Sequence, residues 1–393
     1  MEFAFSDEQE MLRASARDFL DGQSPIERVA ELADGKLGWD PASWPRLAVL
    51  GWIGLSLAER HGGMGASFLE EAVLFEETGR ALYPGPFFAT VGLALPTLAA
   101  GQATQPDALA AVLAGERSAT LAFAEPAGPW TLAALAAGGT VGTGAREADG
   151  GWLLSGSKRF VCDLAIVDDA VVAAQAAGGL GLWRVDLRQP GPGVRCGPWQ
   201  TVDGTRRLAD LELEDAPATL LVPPGQAGPV LAATRLRALA ALACEAVGVA
   251  QRALVFAVAH ARQREQFGRP IGVYQAVSHR IADAYVALEL ARSLAYWAAA
   301  SVAQAEAAAG AHAEAEAEGQ AETQPAAACA AAKAAAAEAA VQAGESAIQV
   351  SGGLGFTWES PLHRLYKRAE WIEAFEGTGA EHRRELAAAL LDG

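Results

Sequence analysis

Residues 236–264 read LRALAALACEAVGVAQRALVFAVAHARQR, and this stretch decides the fold class. It is long enough for about eight helical turns. Its polar residues are too few for a helix on a surface, so we expect most of it to be buried in a helical bundle. Further helical patterns cover residues 277–303, 326–350 and about 377–391. Residues 226–393 therefore predict a C-terminal helical-bundle domain.

The first part of the chain is also helical in pattern. Ser6 and Gln9 have the spacing of a capping box at the start of a helix. Helical patterns continue over residues 44–57 and 68–82, where they are separated by glycine-rich and proline-rich loops. Residues 1–117 therefore predict an N-terminal helical domain.

Between these two parts the pattern changes to that of strands. Residues 118–225 contain short apolar runs that alternate with glycine-rich turns. Many of the residues are β-branched or aromatic, and their spacing suits a compact antiparallel barrel or sandwich. The predicted fold class is mainly α with a central β-domain.

A low-complexity stretch interrupts the C-terminal domain at about residues 305–325. It is rich in Ala and Glu, contains Gln, and ends at Pro325. Because it lacks the large apolar side chains that bury a core, we interpret it as a mobile insertion between two helices.

The charge of the chain disfavours two classes of partner. The 393 residues carry a net charge of −17 at pH 7, which disfavours nucleic acid and anionic membrane surfaces. The most apolar stretches are built on Ala and interrupted by charged residues, so we expect no membrane span. The acidic N-terminus lacks the apolar run of a signal peptide, and we expect a cytoplasmic protein.

The cysteines and histidines indicate neither a metal nor a disulfide. The four cysteines lie far apart and form no CxxC pair, as in a protein of a reducing cytoplasm. The histidines show no metal-like pairing, and a structural role is the simpler interpretation. Cys162 could react, but a small packed residue is the simpler interpretation there too.

Three segments of the C-terminal half carry candidate chemistry, and the first is REQFGRPI at residues 264–271. Arg264 follows the long apolar helix directly, where its guanidinium could grip a pyrophosphate through two hydrogen bonds. An arginine at a helix C-terminus can also bind the carbonyls of its own helix or a neighbouring Glu. Spacing alone favours that second role.

The second segment is QVSGGLGF at residues 349–356. Successive glycines after a helix allow positive φ and let backbone N–H groups approach a ligand closely. A loop that only ends a helix has the same composition. Taken alone, the run is a weak signal.

The third segment is AFEGT at residues 374–378, at a predicted junction of loop and helix. Burial beside Phe375 would disfavour a charged Glu376 carboxylate, whereas the N-terminus of the following helix would favour it. A general base that works near neutral pH needs that balance. The common alternative is a first-turn Glu that only complements the helix dipole.

In this order the three segments resemble the acyl-CoA dehydrogenase family, and the resemblance covers essentially the whole chain. Four other stretches look like that family. They are SDEQEMLRASARDFL (6–20), LGWIGLSLAERHGGMG (50–65), PGPF (84–87) and GSKRFV (156–161). The PGPF version is similar to a branch frequent in bacteria that degrade sterols and other bulky or cyclic CoA esters.

The resemblance implies an N-terminal helical domain, a central β-barrel or sandwich and a C-terminal four-helix bundle, with FAD bound between the last two near a dimer interface. Arg264 and Gln275 would contact the phosphate and adenosine portion, and residues 349–353 would reach the FAD of a neighbouring subunit. The residues that the resemblance assigns to the cofactor are Arg264, Phe267, Gln275, Gln349, Gly352, Gly353, Thr378, Phe160 and Cys162.

Glu376 matches the catalytic base of the family. Some relatives carry the base on the helix that corresponds roughly to residues 235–242, where this chain has no carboxylate. The resemblance implies that Glu376 takes the α-proton of an acyl-CoA while the β-hydride moves to flavin N5, which gives a trans-2-enoyl-CoA. Hydrogen bonds to the thioester oxygen make the proton removable. An electron-transfer flavoprotein would then accept the electrons.

The chain departs from the family pattern in the β-domain. Where a typical member has a TEPGAGSD-like stretch, residues 124–130 read AEPAGPW, and Cys162 replaces the usual hydroxyl. Both changes remove donors expected near the flavin ring. Two assemblies are therefore open: a homotetramer, or a heterotetramer in which a sister acyl-CoA dehydrogenase chain completes FAD binding.

Two other functions use the same fold. A flavin-dependent monooxygenase needs no base, and a non-catalytic partner subunit would usually have lost it. Glu376 in its family context argues against both. The acyl group itself is not indicated by the sequence.

Overall fold

The computed structural model describes residues 5–128, 130–148, 150–311 and 323–391. The chain forms two compact units, each made of separate stretches of sequence. The helical unit comprises Met1–Asp34, Ser67–Tyr83 and Leu239–Gly393, and the sheet unit comprises Gly35–Ala66 and Pro84–Ala238. The bounds 1–117, 118–225 and 226–393 stay a prediction, because these units group the chain in another way.

Helices and strands follow one another in the predicted order, with helices first, strands next and helices last. The α-helices are α1 (Asp7–Gln23), α2 (Ile26–Asp34), α3 (Ser43–Val49), α4 (Phe68–Arg80), α5 (Leu95–Ala100), α6 (Pro106–Leu113), α7 (Leu132–Ala136), α8 (Ala227–Gln263), α9 (Gln275–Ala311), α10 (Thr323–Ser351), α11 (Leu362–Ala374) and α12 (Gly379–Leu391). The strands are β1 (Ala119–Ala122), β2 (Gly144–Ala148), β3 (Gly151–Cys162), β4 (Asp169–Ala176), β5 (Gly179–Asp186), β6 (Val194–Pro198), β7 (Leu208–Val222), β8 (Glu265–Gln266) and β9 (Arg269–Pro270).

The capping box predicted at the N-terminus is confirmed. The Ser6 hydroxyl accepts a hydrogen bond from the N–H of Gln9 at 3.2 Å, and the Gln9 amide oxygen accepts one from the N–H of Ser6 at 3.1 Å. Two N–H groups that a helix start leaves without partners are thereby satisfied.

The long helix α8 is a core helix, as its composition predicts. By length and hydropathy it could cross a membrane, with a mean hydropathy of 1.6 over its most apolar window. In this chain, however, 72% of that window is buried inside the protein. A helix that is apolar on most sides is typical of a protein interior.

Two glycines let α4 and α8 touch backbone to backbone within the helical unit. A Cβ at Gly248 of α8 would lie 1.9 Å from the carbonyl oxygen of Glu76, and a Cβ at Gly79 of α4 would lie 2.1 Å from that of Glu245. Neither position can hold a larger residue unless the helices separate. Small residues therefore set the distance between these two helices.

Buried carboxylates of α4 are paired with arginines of the same unit. Glu77 accepts hydrogen bonds from Arg17 of α1 and from Arg80, both at 2.6 Å. Glu76 pairs with Arg292 of α9. A buried carboxylate without a partner would cost several kcal/mol, so these pairs tie α1 and α9 to α4.

The stretch predicted as an insertion is partly helical. Helix α9 continues through residue 311 and α10 begins at Thr323. Ala and Glu are strong helix formers, which explains why residues 305–311 extend α9. Residues 312–322 of the predicted insertion lie outside the described residues.

The strands β1 to β7 form one sheet that closes on itself. Strand β4 pairs with β2, β2 with β3, β3 with β7, β7 with β5, and β5 pairs back to β4. Most pairings are antiparallel, as predicted for a barrel, but β1 runs parallel to β4. A parallel pair needs a long connection, and the β2–β3 hairpin with its flanking segments supplies it.

A buried ion pair joins β3 to the segment after β1. Lys158 of β3 is 0% exposed, and its ammonium lies 2.6 Å from Glu125. The Glu125 carboxylate also accepts hydrogen bonds from the N–H of Thr143 at 3.0 Å and from the Thr143 hydroxyl at 2.5 Å. Burial lowers the pKa of Lys158 to about 8, although Glu125 acts in the opposite direction. The lysine of the GSKRFV motif is therefore structural.

Replacing Lys158 by Met should destabilise the sheet unit by about 3–5 kcal/mol, because Glu125 becomes an uncompensated buried carboxylate. Urea unfolding followed by tryptophan fluorescence measures the change in midpoint. Arg195→Gln is the matched control, since the Arg195–Glu212 pair of the same unit is exposed and contributes little. A midpoint for Lys158→Met equal to that of the wild type would contradict the structural role.

Candidate active site

Glu376 lies in the short connection between α11 and α12, in a backbone conformation that is unusual for its type. Its φ is +60°, and that of Gly377 is +103°. A non-glycine residue at such a φ costs of order 1–3 kcal/mol and persists only where its surroundings hold it. The Glu376 side chain is buried, with 4% of the residue exposed. Strain of this kind often marks a functional position.

A lysine and a glutamate hold the Glu376 turn, which we define as residues 375–379. The ammonium of Lys333, on α10, donates to the carbonyl oxygens of Gly377 at 3.1 Å and Glu373 at 3.4 Å. The Glu373 carboxylate accepts a hydrogen bond from the N–H of Gly379 at 2.8 Å. The turn is therefore fixed at Gly377 and Gly379 to groups of the helical unit.

The helix that follows the turn begins with its own capping box. The N–H and the hydroxyl of Thr378 donate to the Glu381 carboxylate at 2.8 and 2.9 Å. Glu381 thus occupies the first-turn position of α12 and complements its dipole. The role of a first-turn Glu that only complements the helix dipole therefore belongs to Glu381. Glu376 precedes the capping residue Thr378 and lies outside the first turn of α12.

The first predicted segment forms a small hairpin of β8 and β9 after α8. Arg264 and Phe267 are exposed on it, and Gln275 is the exposed first residue of α9. Phe267, at φ +55°, and Gly268, at φ +77°, form the hairpin turn, and Phe267 is 93% exposed. Within the described residues the Arg264 guanidinium makes no hydrogen bond or ion pair, so the chain's own carbonyls do not occupy it.

The glycine run after α10 combines an open part and a packed part. A Cβ at Gly352 or Gly353 would meet no atom within 4 Å, whereas one at Gly355 would lie 2.5 Å from the carbonyl oxygen of Ile348. Gly352 has φ +59°, as a residue that ends a helix often does. Packing therefore requires glycine at position 355. Around Gly352 and Gly353, next to the exposed Gln349, there is open space beside the backbone.

In the sheet unit a β-bulge turns Phe160 outward. The register of β3 against β7 shifts between Lys158 and Val161, and Phe160 adopts φ +51°. Its ring, 37% exposed, lies between those of Trp130 and Trp199, with centroids 5.5 Å away on each side. This aromatic surface suits the face of a planar ring.

Cys162 lies at the end of the same strand and is buried. Its thiol lies 3.5 Å from the Asp163 carboxylate, and burial raises the pKa of the thiol well above its usual value. The Thr120 hydroxyl donates to its carbonyl oxygen at 2.6 Å. This environment suits the packed role considered for Cys162, and its predicted contact with flavin stays a prediction.

Two family models match the chain in stretches on either side of the strands. The N-terminal domain of acyl-CoA dehydrogenases matches residues 6–116, and the C-terminal domain matches residues 234–391. Acyl-CoA dehydrogenase IpdE2 of Mycobacterium tuberculosis is 31% identical over 364 residues, which span 92% of this chain and 91% of that protein. The chain belongs to the acyl-CoA dehydrogenase family.

Other relatives of this acyl-CoA dehydrogenase agree. The IpdE2 protein of Mycolicibacterium smegmatis is 29% identical over 388 residues, spanning 98% of this chain and 100% of that protein. Among solved structures, a variant of the steroid ACAD Tcur3481-Tcur3483 is 28% identical, with a TM-score of 0.79 and 98% of each chain covered. The mainly α fold with a central β-domain is that of the family, and the chain is an oxidoreductase of this family.

The residues that face solvent in each unit fit FAD, the cofactor that the family implies. In the helical unit, the unpaired Arg264 guanidinium and the open backbone at Gly352 and Gly353 are suited to phosphate and ribose oxygens. In the sheet unit, the aromatic surface around Phe160 is suited to an isoalloxazine ring. The assignment of each residue to the cofactor stays a prediction.

Sequence reasoning missed three residues around these sites. Lys333 is the only charged residue among the alanines and Cys329 of residues 326–337, and a single charge in an apolar helix is a signal that could have found it. Trp130 and Trp199 carry no such signal, because only the folded sheet unit brings them to Phe160.

Gly377→Ala should lower kcat by at least about tenfold, because a Cβ at φ +103° strains the turn that carries Glu376. The nearest atom, His382 Nε2, would lie 3.4 Å from that Cβ, so the fold should tolerate it. Anaerobic loss of oxidised-flavin absorbance on mixing with acyl-CoA measures the rate. Gly22→Ala is the control, since a Cβ there meets nothing within 4 Å. Unchanged turnover in Gly377→Ala would show that the turn is not constrained as described.

Proposed function

We propose that Glu376 is the base that takes the α-proton of an acyl-CoA thioester in an FAD-dependent conversion to a trans-2-enoyl-CoA. One observation carries the proposal: a buried carboxylate on a strained left-handed turn, inside the stretch that matches the family's C-terminal domain. Strain that the surroundings maintain is typical of catalytic positions. Among the described residues of that stretch, 234–391, no other carboxylate residue has a positive φ.

The chain's own groups would act on the proton and on the thioester oxygen. An α-proton becomes acidic enough only when charge on the thioester oxygen is stabilised by fixed donors. The backbone N–H of Glu376 is the donor that we propose for this role, since it moves with the base itself. Burial excludes water from the carboxylate, which strengthens both interactions.

When bound, FAD would supply the acceptor for the β-hydride. We propose that Arg264 binds its pyrophosphate, that Gln275 binds the adenosine portion, and that Phe160 supports the ring from the sheet unit. Phe267, Gln349 and Thr378 would complete the contacts. An electron-transfer flavoprotein is the electron acceptor that we propose, in keeping with the family.

A bulky polycyclic acyl group is the substrate class that we propose. The relative described as a steroid ACAD supports it, and so does the PGPF stretch at residues 84–87. Steady-state rates with a set of acyl-CoA esters of increasing bulk test the proposal. Higher kcat/KM for short linear esters than for polycyclic ones would contradict it.

Glu376→Gln should lower kcat roughly 10²- to 10⁴-fold, because the amide cannot accept the α-proton. The measurement is the anaerobic rate of flavin reduction by acyl-CoA, with FAD content and substrate affinity determined in parallel. Glu370→Gln is the matched control, since Glu370 is an exposed carboxylate of the same region.

Each alternative function has its own signature in this experiment. A non-catalytic partner subunit would leave the activity of the complex unchanged in Glu376→Gln. A monooxygenase would show fast reaction of its reduced flavin with oxygen, with no dependence on Glu376. A slow reaction with oxygen together with loss of activity in Glu376→Gln supports the dehydrogenase.

A tetramer of identical chains with about one FAD per chain is the expected state of the protein expressed alone, since both units present surfaces suited to the cofactor. Native mass and the flavin absorbance per chain measure it. Colourless or substoichiometric protein that gains FAD only with a sister chain would contradict a self-sufficient enzyme. That result would favour the heterotetramer, for which the AEPAGPW stretch and Cys162 argue.

A further inference from the structure

Lys333 is a buried cation in the helix that packs against the Glu376 turn. It is the only charged residue between positions 326 and 337, and it is 0% exposed. A buried ammonium is costly unless hydrogen bonds and opposite charges compensate it. Burial lowers the pKa of Lys333 to about 8, while Glu373, Glu376 and Glu381 act in the opposite direction. The fold therefore keeps, next to the Glu376 turn, a charged group whose burial is energetically unfavourable.

The two hydrogen bonds of Lys333 join the two sides of the turn. The carbonyl of Glu373 belongs to the last turn of α11, where helical partners are missing, and that of Gly377 follows Glu376 directly. A single ammonium thus spans the residue whose φ is +60°. Without this link, neither carbonyl restrains the backbone that carries the Glu376 carboxylate.

We propose that Lys333 is a positioning residue, which holds the Glu376 turn in the conformation from which the carboxylate meets the substrate α-carbon. The inference rests on the proposed function of Glu376. Lys333 acts through the backbone of the turn, and its own ammonium takes no proton from substrate.

The charges that face Lys333 come from three elements packed against it. Glu373 belongs to α11, Glu376 to the turn and Glu381 to α12. Among the described residues, α9 contributes no charged group to this set. The ammonium form attracts all three carboxylates, whereas the neutral amine keeps only weaker hydrogen bonds. The turn is therefore held best while Lys333 is protonated, that is, below about pH 8.

Lys333→Met tests the proposal, because methionine has nearly the same length but lacks both the charge and the donors. We expect kcat to fall roughly 10- to 100-fold, since a misplaced reacting group costs about that much. The KM for acyl-CoA and the FAD content should stay close to those of the wild type. A substrate deuterated at the α-carbon should show a larger isotope effect on kcat, because proton removal becomes slower than the other steps.

Lys367→Met is the matched control, since it removes an ammonium from α11 of the same unit without touching the turn. Its kcat should stay within about twofold of the wild type. Normal kcat in Lys333→Met, or an equal loss in Lys367→Met, would overturn the positioning role.

The pH profile of the wild type provides a second measurement that needs no variant. We expect kcat to fall as the pH rises through about 8, and we expect this limb to vanish in Lys333→Met if that variant folds. A kcat that stays flat from about pH 7 to pH 10 would contradict the proposal.

Glu376→Gln, assayed in parallel, separates this inference from the proposed function. If Glu376→Gln keeps its activity, Glu376 is not the base and the proposed function itself fails. If Glu376→Gln is inactive while Lys333→Met behaves as the wild type, the base stands and only the role of Lys333 is wrong.

Discussion

A charged side chain in the interior of an alanine-rich bundle loses its water, and it is stable only where the fold supplies a partner. Within the helical unit this holds for Glu76 with Arg292 and for Arg368 with Glu245, whose side chains meet at 2.5 Å. Each pair forms only when its two helices are neighbours. Helices that contact each other only through alanine side chains could pack at more than one axial offset. The ion pairs therefore determine which residues of the two helices lie side by side.

The same constraint reaches the candidate active site through Lys333. Its ammonium is compensated by the carbonyls and carboxylates around Glu376, so the partner of a buried charge is here the backbone of a strained turn. The hydrogen bonds between Lys333 and the turn offset part of both costs, that of burying the cation and that of holding a non-glycine residue at positive φ. One contact thus compensates a buried charge of the core and holds the backbone geometry of the candidate active site.

In the sheet unit, two residues of one motif have different roles. In GSKRFV, Lys158 points inward to Glu125, while a bulge turns Phe160 outward between two tryptophans. Of this motif, the family resemblance assigned only Phe160 to the cofactor and gave Lys158 no role. In the structure, Lys158 holds the strand, whereas Phe160 is accessible to a ligand. Trp130, which lies at the same accessible surface, belongs to the stretch 124–130 where the chain departs from the family pattern.

The sequence by itself determined the order of helices and strands, the cap at Ser6, the buried nature of α8 and the family, because periodicity, caps and motifs depend on residues that are close in the chain. It also singled out Glu376, through its neighbours. Only the tertiary structure decided that Lys333 lies beneath the Glu376 turn, that Trp199 flanks Phe160, and that β1 runs parallel to β4. These contacts join residues far apart in sequence, and the energy that selects them appears only when the elements have packed.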